Sequence, residues 1–212
     1  MDVAHPIRAV VPSLDGPVLE VLAGTARPLT TLEIHRLAGV GSSMGVRRVL
    51  QRLAAQGIVL ADHRGNAIYY VANREHLAWP AVEILTGLRR ALREWLVVAI
   101  NGWQVPPIHA SMFGSAARAD GDASSDIDIL LVRPEPLPGD DERWELQLDA
   151  FRSRVAAFTG NRCQTFVVTM ERLGEHLRVA DPLVDAWLRD GIHLAGDELP
   201  AVIASLPAEL RS

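Results

Sequence analysis

The stretch FGSAARADGDASSDIDILLV, from Phe113 to Val132, decides how the second half of the chain is read. It begins at the end of a short apolar run, Ile108–Phe113, which predicts a strand. Ala116–Ala119 then reads as the first turns of a helix, and Asp126–Val132, after a polar loop, as a second, buried strand. A strand-to-helix junction of Gly then Ser places backbone amides at a helix start, where they and the helix dipole attract phosphate oxygens. Gly114 lets a phosphate approach the chain closely, and Ser115 adds a hydroxyl donor. Asp126 and Asp128 are two residues apart on a strand, so both are expected on one face, about 6–7 Å apart. Such a pair suits a hard cation, Mg²⁺ or Mn²⁺, that keeps phosphate oxygens in its own shell. An anion cradle beside two carboxylates is what metal-assisted nucleotidyl transfer requires. The plainer alternative is a helix-capping Gly-Ser followed by a solvated acidic turn.

In order and spacing, these residues resemble the signature of the DNA polymerase beta-like nucleotidyltransferase superfamily: Gly-Ser, then Asp-x-Asp on the next strand. The similarity is greatest to the minimal nucleotidyltransferases of prokaryotes, and it extends more loosely to about residue 196. The resemblance implies a small mixed sheet flanked by helices and a nucleoside triphosphate held on Gly114, Ser115 and Arg118. It also implies catalytic and metal-binding roles for Asp126 and Asp128. One departure stands out. Catalysing members usually carry a third carboxylate on the strand that follows the next helix. Here Trp144, Leu148, Phe151, Val155 and Phe158 predict that helix over 141–158, and the following strand, Cys163–Thr169, has no acid. Gln164 can offer a carbonyl oxygen but no base. Cys163 reads as a small core residue and His109 as structural. Asp181-Pro182 opens a further helix, and His193-Leu194 adds an edge strand.

Upstream, residues 13–79 read as three helices and a hairpin. Pro17 sits in the first turn of a helix that starts near Asp15 and stops at Gly24. Thr30 and Glu33 have the spacing of a capping box for the second, which stops at Gly39. The third runs from Ser42 or Ser43 to before Gly57. Its Val46, Val49, Leu50 and Leu53 form one apolar stripe, which leaves Arg47, Arg48, Gln51 and Arg52 on the opposite face. Ile58–Leu60 and Ala67–Val71 flank a His63–Asn66 turn and predict a hairpin with Arg64 at its tip. This order of elements resembles a winged helix-turn-helix. The resemblance implies that Ser43, Arg47, Arg48, Gln51 and Arg52 face double-stranded DNA, with Arg64 on the wing. The alternative is a helical module that pairs two chains.

Charge divides along the same line. Residues 1–100 hold 11 Arg against 8 acids, a net of +3, whereas residues 101–212 hold 10 Arg against 18 acids, a net of −8. All 21 basic residues are arginine, which suits phosphate but also follows from codon bias. Between the halves, Pro80 to Ile100 predicts one long amphipathic helix ended by Gly102 and Pro106-Pro107; its apolar face serves a core or a homodimer. A hydrophobic content of 49% with 22% charge excludes a disordered chain. No run approaches the ~18 apolar residues of a membrane helix. With one cysteine and no visible signal peptide, a cytoplasmic protein is expected.

The reading is therefore an α+β chain in three parts: a winged helix-turn-helix over 1–79, a connecting helix over 80–107 and a nucleotidyltransferase-like domain over 108–212. Two functions are open. One is a Mg²⁺-dependent nucleotidyltransferase acting on a hydroxyl acceptor. The other is a DNA-binding transcriptional regulator whose second domain, short of one carboxylate, serves as nucleotide sensor or dimerisation platform.

Overall fold

The computed structural model describes residues 1–137 and 141–208; the end of the expected third part, 209–212, lies outside them. The chain is α+β and forms two compact units. One is His5–Arg90, and the other combines Met1–Ala4 with the chain from Ala91 onward.

In the His5–Arg90 unit, α1 (Asp15–Ala23), α2 (Thr31–Ala38) and α3 (Ser43–Ala55) precede the strands β2 (Val59–Arg64) and β3 (Ala67–Ala72). A two-residue strand β1 (Leu29–Thr30), which the sequence pattern does not announce, pairs antiparallel with β3 and completes a sheet of order β1-β3-β2. The β2–β3 ladder runs to Arg64↔Ala67, so the turn is only Gly65-Asn66, tighter than the four residues expected. Gly65 at φ +57 supplies the left-handed conformation that the first central position of such a turn demands. Val18, Leu22, Ile34, Val46, Leu50 and Trp79 share the core of the unit. Each is too short an element to bury its apolar stripe alone, and the three helices close on one another to do so.

The capping box of α2 is formed in full. Thr30 Oγ1 accepts from the Glu33 amide at 3.3 Å, and the Glu33 carboxylate accepts from the Thr30 amide at 2.8 Å. The Thr30 amide and hydroxyl, and then Arg27, pull the Glu33 carboxyl down to about 2. Because that value lies below the unfolded one, the stabilisation is complete above the ordinary carboxyl range. It drains away as pH falls toward about 2. Thr30→Ala is expected to cost about 1 kcal/mol in urea unfolding of this unit at neutral pH, and less at pH 2.

The expected single connecting helix is two helices, α4 (Trp79–Thr86) and α5 (Leu88–Asn101). The break falls at Gly87, whose ψ of −3° departs from helical geometry and whose amide is shared between Glu83 O and Ile84 O. Glycine is the weakest helix former short of proline, and here it ends one helix.

The second unit is built on a four-stranded mixed sheet of order β6-β5-β4-β7. Its strands are β4 (His109–Phe113), β5 (Ile127–Val132), β6 (Cys163–Val168) and β7 (Ile192–Gly196). β4 pairs antiparallel with β5 and β7, and β5 pairs parallel with β6. The parallel pair requires a crossover, which α7 (Glu142–Thr159) provides. Its Trp144, Leu148, Phe151 and Val155 pack with Ile127, Ile129 and Leu131, and Val3 joins this core from the chain's first residues. The opposite face of the sheet carries Leu130 and Val132 against α8 (Met170–Arg178), α9 (Pro182–Asp190) and α10 (Leu199–Ser205). Among the described residues no helix is long and apolar enough to cross a membrane.

Candidate functional site

Between β4 and β5 lies α6 (Gly114–Arg118), a helix of five residues with no side-chain cap. It starts earlier than the expected Ala116 and ends at Ala119, which adopts the left-handed conformation at φ 60. Gly114 has φ +70, and the place a Cβ would occupy on it is already taken by Asp128 Oδ2. Glycine is thus required at position 114 twice, by the backbone and by the carboxylate laid against it.

Asp128 sits in β5 opposite Phe113 of β4 and Gln164 of β6. Strand alternation sends the buried Ile127 toward α7 and Asp128 to the other face of the sheet, with Leu130. Asp126 lies one residue ahead of the strand, half-buried like Asp128. Desolvation, and then the charge of Asp126, push the Asp128 carboxyl above the usual carboxylate range, while Arg118 opposes them. A half-buried acid whose proton affinity is raised by a neighbouring carboxylate is a charge conflict that a divalent cation relieves.

The loop that leads into Asp126 is tightly bonded. Asp122 Oδ1 accepts from the amide and hydroxyl of Ser124 and from the hydroxyl of Ser125. Gly121 leaves room for the hydroxyls of Ser125 and Ser115, 2.9 and 3.0 Å from where its Cβ would be. Asn161, buried at the end of α7, donates from Nδ2 to Ser125 O at 2.9 Å, and Ile127 N–H donates to Arg162 O at 2.9 Å. Gly114, Ser115, Ser125 and Asp128 are therefore brought together.

Arg118 pairs with two acids. Its Nε donates to Asp120 at 2.8 Å and its terminal nitrogen to Asp190 at 3.0 Å. Asp190, whose side chain is only 5% exposed, is pulled to about 2 by Arg189 and then by Arg118. Neither Asp190 nor Asn161 carried a signal in the sequence, since each is remote from the motif.

The other nominated residues are also placed. On β6 the neighbour of Asp128 is Gln164, which is exposed, and β6 bears no acid. Cys163 is buried, its thiol pushed up to about 12 by burial, which makes it a core residue and a poor nucleophile. His109 is 1% exposed and bonds through both ring nitrogens, to Asp197 O at 2.7 Å and Ser111 Oγ at 2.9 Å. No group of three His, Cys, Asp or Glu suited to a metal occurs among the described residues. The carboxylates that could offer oxygens to a cation here are Asp126 and Asp128.

On the His5–Arg90 unit, Ser43, Arg47, Arg48 and Gln51 are exposed along α3, and Ser42 caps the helix by accepting from Gly45 N–H at 3.1 Å. Arg52 differs: it is ion-paired with Asp15 of α1. Arg64, beside the hairpin turn, bonds Asp62 at 2.7 Å and lies over the Tyr69 ring at 5.2 Å. No protein-family model matches the chain, and no curated protein matches it either.

Proposed function

We propose that the protein binds a nucleoside triphosphate with Mg²⁺ on the β4–α6–β5 segment and transfers its nucleotidyl group to a hydroxyl acceptor. In the same proposal the His5–Arg90 unit is a winged helix-turn-helix that binds double-stranded DNA. The observation that carries the first part is the contact of Asp128 with the side-chain-free Cα of Gly114, with Asp126 close enough to raise the Asp128 proton affinity. The Asp128 carboxylate lies directly against the glycine turn. It places a charge where a metal-bound phosphate would meet the backbone. The bound Mg²⁺ would neutralise the triphosphate and polarise the α-phosphorus. Asp126 and Asp128 would hold it, Ser115 would donate to a phosphate oxygen, and the bonded 122–125 loop would fix Asp126. The acceptor hydroxyl attacks the α-phosphate and pyrophosphate leaves. A thermal-shift screen of the four triphosphates, each with and without Mg²⁺, tests binding. Label transfer from the α-position tests chemistry.

A second reading is favoured by Gln164. It stands beside Asp128 where the resemblance places a third acid, and an amide cannot take a proton from a hydroxyl. On this reading the site binds nucleotide without turnover and the protein is a regulator. Nucleotide and DNA would then change one another's affinity by the same factor.

The DNA part has its own test. α3 contains no acidic residue, and Arg47 and Arg48 are exposed on it. Arg47→Ala and Arg48→Ala should each weaken duplex binding. Each that removes a phosphate contact should flatten the dependence of log K on log salt by about 1. Unchanged slopes, measured by fluorescence anisotropy between low and physiological salt, would refute phosphate contact by this face.

A further inference from the structure

α3 exposes more than charge. Met44 is 58% exposed, a large apolar side chain in the first turn of an otherwise polar face. Met44, Arg48, Gln51 and Ala55 fall at i, i+4, i+7 and i+11, and all four are exposed. They form one ridge along the helix, opposite the buried Val46, Leu50 and Leu53. Arg52, by contrast, leaves this ridge for Asp15, and Ser42 is used as the cap. Along this ridge the functional groups offered to a partner are a thioether, a guanidinium and an amide in a fixed order, with Arg47 to one side of it.

Those three match three different base edges in the major groove. An apolar side chain meets the 5-methyl of thymine, a guanidinium forks onto O6 and N7 of guanine, and a primary amide pairs with N6 and N7 of adenine. From Met44 to Gln51 the helix rises about 10 Å, roughly the height of three base pairs. Charge complementarity selects a polyanion as the occupant, since no acid interrupts the ridge. An apolar residue at its N-terminal end has no use against phosphate alone.

Resting on the DNA-binding reading above, we infer that Met44, Arg48 and Gln51 are the specificity-determining residues, with Met44 reading a thymine methyl. The half-site would then hold a thymine, a guanine and an adenine within about four base pairs, consecutive along the groove. The face is a reader of sequence rather than a general duplex clamp. Arg47 and the wing, in contrast, hold the backbone and carry no base preference.

The test uses the full-length protein and a duplex enriched from a random library. Each thymine in the enriched site is replaced in turn by deoxyuridine, which removes only the methyl. At one position this should weaken wild-type binding about fourfold, the value for one buried methyl-sized group, and leave Met44→Ala unaffected. A 7-deazaguanine at the neighbouring guanine should cost wild type tenfold or more, and Arg48→Ala nothing further. Met44 is exposed, so Met44→Ala should unfold at the wild-type temperature. If duplexes bind in a salt-sensitive way but none is enriched, or if Met44→Ala keeps the same sensitivity to deoxyuridine, base reading by this ridge is overturned while DNA binding stands. If no duplex binds at low salt, the DNA-binding reading fails and takes the inference with it. Capture of another protein by this face would be the sign of that case.

Discussion

Replacing both acids, Asp126→Asn with Asp128→Asn, should abolish label transfer from α-labelled ATP or GTP, a fall on the order of 10³-fold or more. The double variant should also lose any stabilisation by Mg²⁺ and triphosphate together. Without ligand it should unfold no earlier than wild type, because the pair is mutually repulsive: burial and the neighbouring charge raise the Asp128 carboxyl above its ordinary range. The sign is fixed by linkage. A group that holds its proton more tightly when folded favours the fold at low pH and burdens it once ionised. Apo stability should therefore fall as pH climbs from the ordinary carboxyl range through the raised value, and Mg²⁺ should restore it over the same interval. Full labelling by the double variant would remove these residues from the chemistry. Loss of fold would show that they brace the sheet instead.

Gly114→Ala is the second large effect, and it isolates the glycine from the acids. The new methyl group meets Asp128 Oδ2, and the residue would have to keep φ at +70, a region alanine adopts at a cost of about 1–2 kcal/mol. Either Asp128 swings away or the turn reshapes. In both cases the spacing between carboxylate and backbone is lost, and a misplacement of about 1 Å is enough for a hundredfold fall in rate. Transfer should drop at least that far, with a loss of roughly 2–3 kcal/mol in denaturant stability as strain and overpacking add. Gly121→Ala makes an informative companion, since its methyl would press on the side chains of Ser115 and Ser125 and not on Asp128 Oδ2. A Gly114→Ala protein with wild-type nucleotide response would show that the turn does not carry phosphate.

Much of the architecture was legible in residue order because the signals are local. The capping box at Thr30–Glu33, the apolar stripe of α3 and the 4-3-4-3 spacing of α7 each act within a few turns, and each element forms where its signal lies. What escaped depends on distant partners. β1 is two residues long and exists only because β3 is there to receive it. The break at Gly87 is invisible to a periodicity that continues on both sides of it. At the site, the closeness of Gly-Ser to Asp-x-Asp follows from their order on neighbouring strands, although the space at Gly114 expected to admit phosphate is taken by Asp128 Oδ2. The capture of Arg118 by Asp190, 72 residues away, does not follow from residue order, and neither does the pairing of Arg52 with Asp15.

Because Met1–Ala4 shares a core with the chain from Ala91 onward, the intervening 5–90 segment is topologically an insert, anchored at both of its ends. Dissection by cloning is thereby asymmetric. A piece cut at residue 91 forfeits Val3 and leaves a hole where that isopropyl group sat, whereas splicing residue 4 to residue 91 through a glycine-serine bridge keeps the plug. The tether has an energetic side too. When the insert melts inside the intact chain its ends stay pinned, so its disordered ensemble is a closed loop with less entropy to gain than the same polypeptide set loose.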